Sequence, residues 1–245
     1  MVVITLPAFN EAQTLPSLLE SIRESMRENS IDYRVVVVDD GSMDGTAEVV
    51  EALAGAMPIT LIKHAENLGL GEAIRTGLLA ALDGAEPRDI IVTMDSDNTH
   101  TPGLIARMVR GIREGNDVVI ASRYRQGANI RGVPRYRRLL SFGGRVAFSL
   151  VFPTPNVRDF TSGFRAYRAD VLARAFRLYG GQFVAESGFS CMVDILLKLR
   201  KMGAIMSEVP LILRYDQKFG ASKMLVMRTV GETIRLILTR RIGLG

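Results

Sequence analysis

Val35-Val-Val-Val-Asp-Asp-Gly-Ser-Met-Asp-Gly-Thr46 runs from four valines into an acidic turn, and a helical pattern follows from Thr46 to Ala54. An unbroken β-branched run has no polar face, so it suits a strand covered on both sides, as in a parallel sheet. Asp44 or Thr46 supplies the oxygen that a helix N-terminus needs. Asp39 and Asp40 ask for more. Two adjacent carboxylates beside a buried strand repel each other unless a partner uses them, and a nucleobase edge or ribose hydroxyl is the natural one.

The same unit repeats outward from this stretch. Val2 to Leu6, Ile59 to Lys63, Ile90 to Met94 and Val118 to Ala121 read as further buried strands beside Tyr33 to Val38, with the first stopped by Pro7. Thr14 to Arg27, Ala73 to Leu82 and Pro102 to Arg113 read as helices between them. Repeated strand-helix units predict an α/β fold, a mostly parallel central sheet with helices on both faces. Ligands of such sheets collect beyond the carboxyl ends of the strands. There the chain places Asn10-Glu11, Asp39-Asp40 and Asp95 to Asp97.

Past residue 122 the alternation stops. An apolar-basic segment from Arg135 to Phe152 precedes a turn-rich piece, Asp159 to Arg168, a helix from about Gly188 to Met202 and a strand around Val209 to Leu213. The division expected is a catalytic domain over residues 1–215, including an interface helix at about 135–152, and a basic amphipathic tail over 216–245. From Gln217 to Gly245 six Lys or Arg stand against Glu232 alone, with apolar residues at helical spacing from Met224 to Leu238. Leu139 to Phe152 and Met224 to Leu238 read either as helices lying in a membrane interface or as core helices.

The 245 residues are 47% apolar and carry a net charge of +5, which supports a large core and favours anionic partners. No nucleic-acid-binding signature accompanies that charge. A single cysteine, Cys191, excludes an internal disulfide and reads as a buried thiol. No window approaches 18 uninterrupted apolar residues, and the start lacks the pattern of a signal peptide, so a cytoplasmic protein is expected.

Between Asp117 and Asp159 there is no acid, yet there are eight arginines: Arg123, Arg125, Arg131, Arg135, Arg137, Arg138, Arg145 and Arg158. They read as a phosphate grip or as a solvated basic face. Just upstream, Asp95-Ser-Asp97 ends a strand, where the chain turns and both carboxylates can serve one ligand. The triplet reads as a metal site facing a diphosphate or as an exposed turn. Glu11 reads as a helix first-turn acid or as a pocket residue. Asn67-Leu-Gly-Leu-Gly-Glu-Ala73 lacks the third glycine of a dinucleotide fingerprint and reads as a tight loop opening a helix. Only His64 and His100 are present, with no evident Ser-His-Asp set.

These motifs in this order resemble family 2 glycosyltransferases of the GT-A fold, in the dolichol-phosphate mannose synthase-like branch. The match runs through Pro7-Ala-Phe-Asn-Glu11, Asp39-Asp-Gly-Ser-Met-Asp-Gly-Thr46, Asn67-Leu-Gly-Leu-Gly71 and Met94-Asp-Ser-Asp-Asn-Thr-His-Thr-Pro102. It continues through Ala121-Ser-Arg-Tyr124, Asp159-Phe-Thr-Ser-Gly-Phe-Arg-Ala-Tyr167, Glu208-Val-Pro210 and Gly220-Ala-Ser-Lys223.

The resemblance implies an inverting, metal-dependent transfer of a sugar to a polyprenyl phosphate at the cytoplasmic face of a membrane. GDP-mannose is the favoured donor, with UDP-glucose or another UDP-sugar as the alternative and a catalytically silent scaffold as the third reading. By the same resemblance Pro7, Phe9, Glu11, Val38 and Asp40 surround the donor nucleotide. Asp95, Ser96 and Asp97 hold the diphosphate with Mg2+ or Mn2+, with Thr99 placed for a further metal contact. Arg123 and Lys223 reach the donor phosphates or sugar, and Arg137 and Ser141 bind the acceptor phosphate. Asp97, Arg137 and Arg123 are the expected catalytic residues.

Three departures accompany it. Phe9 stands where tyrosine is common. Asp194 stands where glutamate is usual, and Glu186 reads as its substitute or as a helix-terminal acid. The loop from Arg214 to Lys223 reads as longer than usual, leaving Arg214 and Lys218 without roles.

Overall fold

The computed structural model describes residues 1–132, 143, 151–188 and 190–215. Within them the alternation predicted for the first half is present. Strands β1 (Val2–Ala8), β2 (Tyr33–Asp39), β3 (Ile59–Lys63), β4 (Ile90–Thr93) and β5 (Val118–Ser122) alternate with helices α1 (Leu15–Glu28), α2 (Thr46–Ala54), α3 (Leu70–Leu82) and α4 (Leu104–Arg113). The chain continues through β6 (Asn129–Arg131), β7 (Arg165–Arg168), α5 (Ala169–Tyr179), a 3-10 turn (Gly180–Val184), α6 (Ser190–Lys201), β8 (Met206–Pro210) and β9 (Ile212–Arg214).

Seven strands form one sheet in the order β3-β2-β1-β4-β7-β5-β8, and β6 pairs with β9 in a small parallel sheet. The valine run shows why the strands need two apolar faces. Val36 and Val38 join the core under α3, α5 and α6, while Val35 and Val37 join the core under α1, α2 and α4. Successive strand side chains point to opposite faces, so a strand buried on both sides reads as continuous valine. Each such side chain contributes about 1.5–3 kcal/mol relative to exposure.

Two elements depart from the predicted pattern. The piece read as turn-rich, Asp159 to Arg168, ends in β7, which lies antiparallel between β4 and β5 in the middle of the sheet. Its sequence, Arg-Ala-Tyr-Arg, hides this because Arg165 is charged yet fully buried. Arg165 donates to the carbonyls of Met192 (2.6 Å) and Phe160 (2.8 Å), which stand in for water. The single strand predicted around Val209 to Leu213 is divided at Leu211 into β8 and β9, which belong to different sheets.

Pro7 does not stop β1. Pairing continues through Pro7–Val38 and Ala8–Asp39, whereas pairing with β4 has already ended at Thr5–Thr93. The missing N–H of Pro7 thus falls on the side where β1 has no strand neighbour, and there the Pro7 carbonyl accepts the Ser96 hydroxyl at 2.7 Å. Strand order reverses between β1 and β4, so a crevice opens at their carboxyl ends.

Candidate functional site

The cavity at this crevice is lined by Pro7, Leu70, Ile74, Thr93, Met94, Asp95, Gly163 and Met192. Of the residues expected around the donor, Pro7 and Asp95 face it directly, and Ser96 is tied to Pro7 beneath it. Gly163 makes room for the Asp95 carboxylate: a Cβ there would lie 2.9 Å from Asp95 Oδ1. This was the unread content of the Thr-Ser-Gly-Phe motif. His100 stacks on Phe164 at 5.0 Å and brings Nε2 to 3.9 Å from Asp95 Oδ2. Neither ring nor glycine can be assigned to Asp95 from spacing alone.

Asp97 Oδ1 accepts the backbone N–H of Thr99 at 3.2 Å and its hydroxyl at 2.6 Å. Thr99 is buried, and its hydroxyl hydrogen is used to orient Asp97. Among the described residues no three His, Cys, Asp or Glu side chains gather as a metal cage. Two carboxylates without a third still fit Mg2+ or Mn2+. Such hard cations are commonly held by one or two carboxylates while water and substrate phosphate complete the shell. Asp95 and Asp97 are the residues that would hold one here.

The loops after β1 and β2 are laced together. Asn10, in the left-handed region at φ 53°, donates its N–H to Ser42 Oγ and accepts Met43 N–H on its own side chain. Glu11 N–H donates to Thr46 Oγ1, and Ala12 N–H donates to Asp44 Oδ2. Asp44 also accepts Thr46 N–H at the head of α2, but the N-cap is Gly45, at φ 88° and with no side-chain cap bond, so neither Asp44 nor Thr46 holds that position. The Glu11 carboxylate accepts the Thr14 hydroxyl at 2.7 Å, but Glu11 lies ahead of α1, whose N-cap is Thr14 and whose first turn holds no acid, so the first-turn reading is corrected. Val38 is 0% exposed and packs toward Gly77 of α3, so its side chain is core and does not line the pocket.

Asp40 is committed to the fold as well. Its Oδ1 accepts Leu68 N–H at 2.9 Å and lies 2.7 Å from His64 Nδ1, while Oδ2 accepts Gly69 N–H at 2.9 Å. His64 Nε2 is 3.0 Å from Thr76 Oγ1. Asp40, His64 and Thr76 thus form a carboxylate-imidazole-hydroxyl chain, with threonine where a Ser-His-Asp set has serine. Three separate segments supply it, so spacing gave no sign of it. Neither His64 nor Thr76 lines the cavity.

Arg123 at the end of β5 forks onto Asp159, with Nε 2.8 Å from Oδ2 and one terminal nitrogen 2.7 Å from Oδ1 and 2.5 Å from Thr161 Oγ1. Burial by itself would raise the Asp159 pKa, but the Arg123 charge and hydrogen bonds hold it below the usual carboxylate range. Burial would likewise lower that of Arg123, and Asp159 keeps it above its ordinary value. Arg123 is thus anchored by an acid, which the expectation of an unopposed phosphate grip did not include. Glu208 Oε1 accepts the N–H groups of Arg158 (2.6 Å) and Asp159 (2.7 Å) and so fixes the turn carrying that acid. Burial pushes the Glu208 carboxyl upward.

Asp194 is fully buried and bonded to Lys198 one helical turn along α6. Glu186 lies in the segment leading into α6, where its carbonyl would meet a Cβ placed on Gly71 at 2.0 Å. Arg214 donates its backbone N–H to Thr99 O at 2.8 Å, which joins β9 to the Asp97 loop. Cys191 is buried, and desolvation pushes its thiol up to about 12, which makes it inert. Arg137, Ser141, Lys218 and Lys223 lie outside the described residues, as do Arg135, Arg138, Arg145 and the two amphipathic segments save Gly143, Val151 and Phe152 of the first. No described helix is long and apolar enough to cross a membrane.

Three curated relatives are similar over most of the chain. A dolichol-phosphate mannosyltransferase of Pyrococcus furiosus is 30% identical over 96% of this chain, which spans 62% of that protein's length. An undecaprenyl-phosphate mannosyltransferase of Micrococcus luteus is 32% identical over 91% of this chain and 87% of its own. A polyprenol monophosphomannose synthase of Mycolicibacterium smegmatis is 29% identical over 91% of this chain and 80% of its own. Among solved structures, glucosyl-3-phosphoglycerate synthase of Mycobacterium tuberculosis with Mn2+, UDP-glucose and phosphoglyceric acid superposes with a TM-score of 0.66 at 20% identity, covering 99% of this chain and 80% of that one. The same enzyme with Mg2+ and UDP gives 0.67, covering 99% and 79%. That likeness concerns the fold. The model of glycosyl transferase family 2 matches residues 3–176, the span that holds the β1–β4 crevice, Asp95 to Asp97 and the Asp159–Arg123 anchor; the chain belongs to that family.

Proposed function

We propose that this protein transfers a sugar from a nucleoside diphosphate sugar, with GDP-mannose favoured, to a polyprenyl phosphate at the cytoplasmic face of a membrane, with inversion. The observation that carries the reading is the Asp95-Ser96-Asp97 loop at the β1–β4 crevice, with Asp95 in the cavity wall and Gly163 opened beneath it. The polyprenyl-phosphate relatives, whose names specify mannose transfer or mannose attachment, support both acceptor and sugar.

Asp95 and Asp97 would hold Mg2+ or Mn2+ here; when bound, the cation neutralises charge developing on the departing diphosphate. The protein's own groups do the rest. Thr99 holds the Asp97 carboxylate, and Ser96 ties that loop to Pro7. Asp159 holds Arg123 in one orientation at the end of β5. Arg137 and Ser141 take the acceptor phosphate, and Lys223 the donor. A phosphate monoester has its second pKa at about 6, so the attacking oxygen is already ionised and needs no protein base. Catalysis then rests on positioning and charge stabilisation.

The decisive assay incubates the protein with radiolabelled GDP-mannose or UDP-glucose, a polyprenyl phosphate and Mg2+, and follows label into the organic phase. Label from GDP-mannose is the expected result. Label from UDP-glucose alone transfers the reading to the alternative donor, and no label from either leaves the silent scaffold. Arg137→Ala is expected to raise KM for the lipid about tenfold, as loss of a charge-assisted hydrogen bond does, with the donor KM unchanged.

A further inference from the structure

In the Asp40–His64–Thr76 chain, His64 and Thr76 have no role in the transfer proposed above. His64 follows β3, Asp40 follows β2 and Thr76 belongs to α3, so the chain ties three elements together across the carboxyl end of the sheet. The His64 backbone N–H also donates to Asp39 O at 2.9 Å, so the ring approaches Asp40 from a fixed base. In the neutral ring, the carboxylate selects the tautomer with its proton on Nδ1, and Nε2 then accepts the Thr76 hydroxyl. A short bond from a fixed imidazole leaves the Asp40 side chain one orientation.

That orientation shapes the cavity. The two Asp40 oxygens hold Leu68 N–H and Gly69 N–H, and the next residue, Leu70, lines the crevice beside Pro7 and Asp95. Gly69 has φ 91°, where the turn is held by the carboxylate. One residue on, Gly71 N–H donates to Ser187 O at 2.9 Å. The Glu186 carbonyl would clash with any Cβ on Gly71. A rotation of Asp40 therefore moves the Leu70 wall and loosens the segment leading into α6. Gly41 approaches the same turn closely: a Cβ there would lie 2.4 Å from Glu66 C, so the turn cannot settle elsewhere without moving the β2 loop.

We propose that His64 is a positioning residue for nucleotide recognition: by fixing Asp40 it fixes the Leu68–Gly69 turn and, through it, the Leu70 wall of the donor pocket. The inference rests on the donor-site reading of the crevice. It assigns His64 no contact with substrate and no proton transfer.

The test measures GDP and UDP binding by titration calorimetry with Mg2+ present, donor and acceptor KM, kcat and Tm, for wild type, His64→Phe, His64→Gln and Thr76→Val. His64→Phe keeps a ring but loses both nitrogens. It is expected to weaken binding of the preferred nucleotide and raise donor KM about tenfold, the scale of one charge-assisted hydrogen bond. Acceptor KM stays unchanged and kcat stays within about twofold on the same scale. His64→Gln keeps an N–H for Asp40 and should restore most of the binding. Thr76→Val loosens only the far end of the chain and should weaken it about threefold. Unchanged nucleotide affinity in a folded His64→Phe protein overturns the inference. So does a joint fall of Tm and kcat with affinity intact, which marks a purely structural ring. If His64→Phe does not fold, unchanged affinity in both His64→Gln and Thr76→Val overturns it equally. Wild type that binds neither nucleotide removes the donor-site reading and this inference with it, a result distinct from variants matching a binding wild type.

Discussion

Two acidic loops end parallel strands on either side of β1, and they are built in opposite ways. Asp40, beyond β2, is buried and surrounded by donors from His64, Leu68 and Gly69. Asp95, beyond β4, has a side chain 35% exposed to the crevice, with His100 3.9 Å away and the space beneath it left by Gly163. The first carboxylate builds a wall, and the second faces what the wall encloses. In sequence they look alike, each an acid closing a valine- or isoleucine-rich strand. The difference is one of donors brought from elsewhere in the chain.

That contrast breaks most sharply on Asp97. Asp97→Ala is expected to lower sugar transfer by about 10³-fold or more, the scale of losing a bound cation, with the fold retained. Asp40→Ala should instead cost about 3 kcal/mol of stability, since it strands two backbone N–H groups and an imidazole. Turnover and urea unfolding measured on both variants check this; the reverse pattern would dissolve the distinction.

Next in size is Gly163→Ala. Its Cβ would meet Asp95 Oδ1 at 2.9 Å, and displacing a reacting-centre group by a fraction of an ångström costs about 100-fold in rate. Circular dichroism should remain that of the wild type. A fully active Gly163→Ala enzyme removes Asp95 from the chemistry.

Asp159→Asn probes an acid of the first kind, placed near the second. Breaking a buried pair leaves Arg123 uncompensated, at a cost of about 3 kcal/mol. Its pH signature has a definite sign. The folded pKa of Asp159 is depressed below the unfolded value of about 3.9, so this stabilisation is present above that pH and is lost as pH falls through the folded value. Urea midpoints across acid pH should therefore fall less steeply in Asp159→Asn than in wild type. Equal slopes contradict the pairing.

The smallest effect is expected for Thr99→Val, which removes the hydroxyl oriented on Asp97. A loss of about tenfold in Mn2+ affinity, read by electron paramagnetic resonance of the free ion, matches one hydrogen bond to a charged group.

The repeating strand-helix order was legible because each strand is buried on both faces and each helix on one, so local apolar patterning carries the message. The crevice was legible for the same reason: ligand loops must follow the strands. What escaped were β7, whose buried Arg165 depends on carbonyls of Met192 and Phe160, and the anchoring of Arg123 by Asp159 across 36 residues. The long acid-free stretch drew attention to Arg123 while concealing that its partner was the acid at the stretch's far end.

Composition, periodicity and motif order alone determined that this chain is an α/β protein with acidic loops gathered at one edge of a parallel sheet, since those properties depend on neighbours a few residues apart. Only the tertiary structure decided which acids serve the fold and which face the pocket. A carboxylate's role depends on the donors within about 3 Å of it, and those come from segments whose distance along the chain bears no relation to their distance in space.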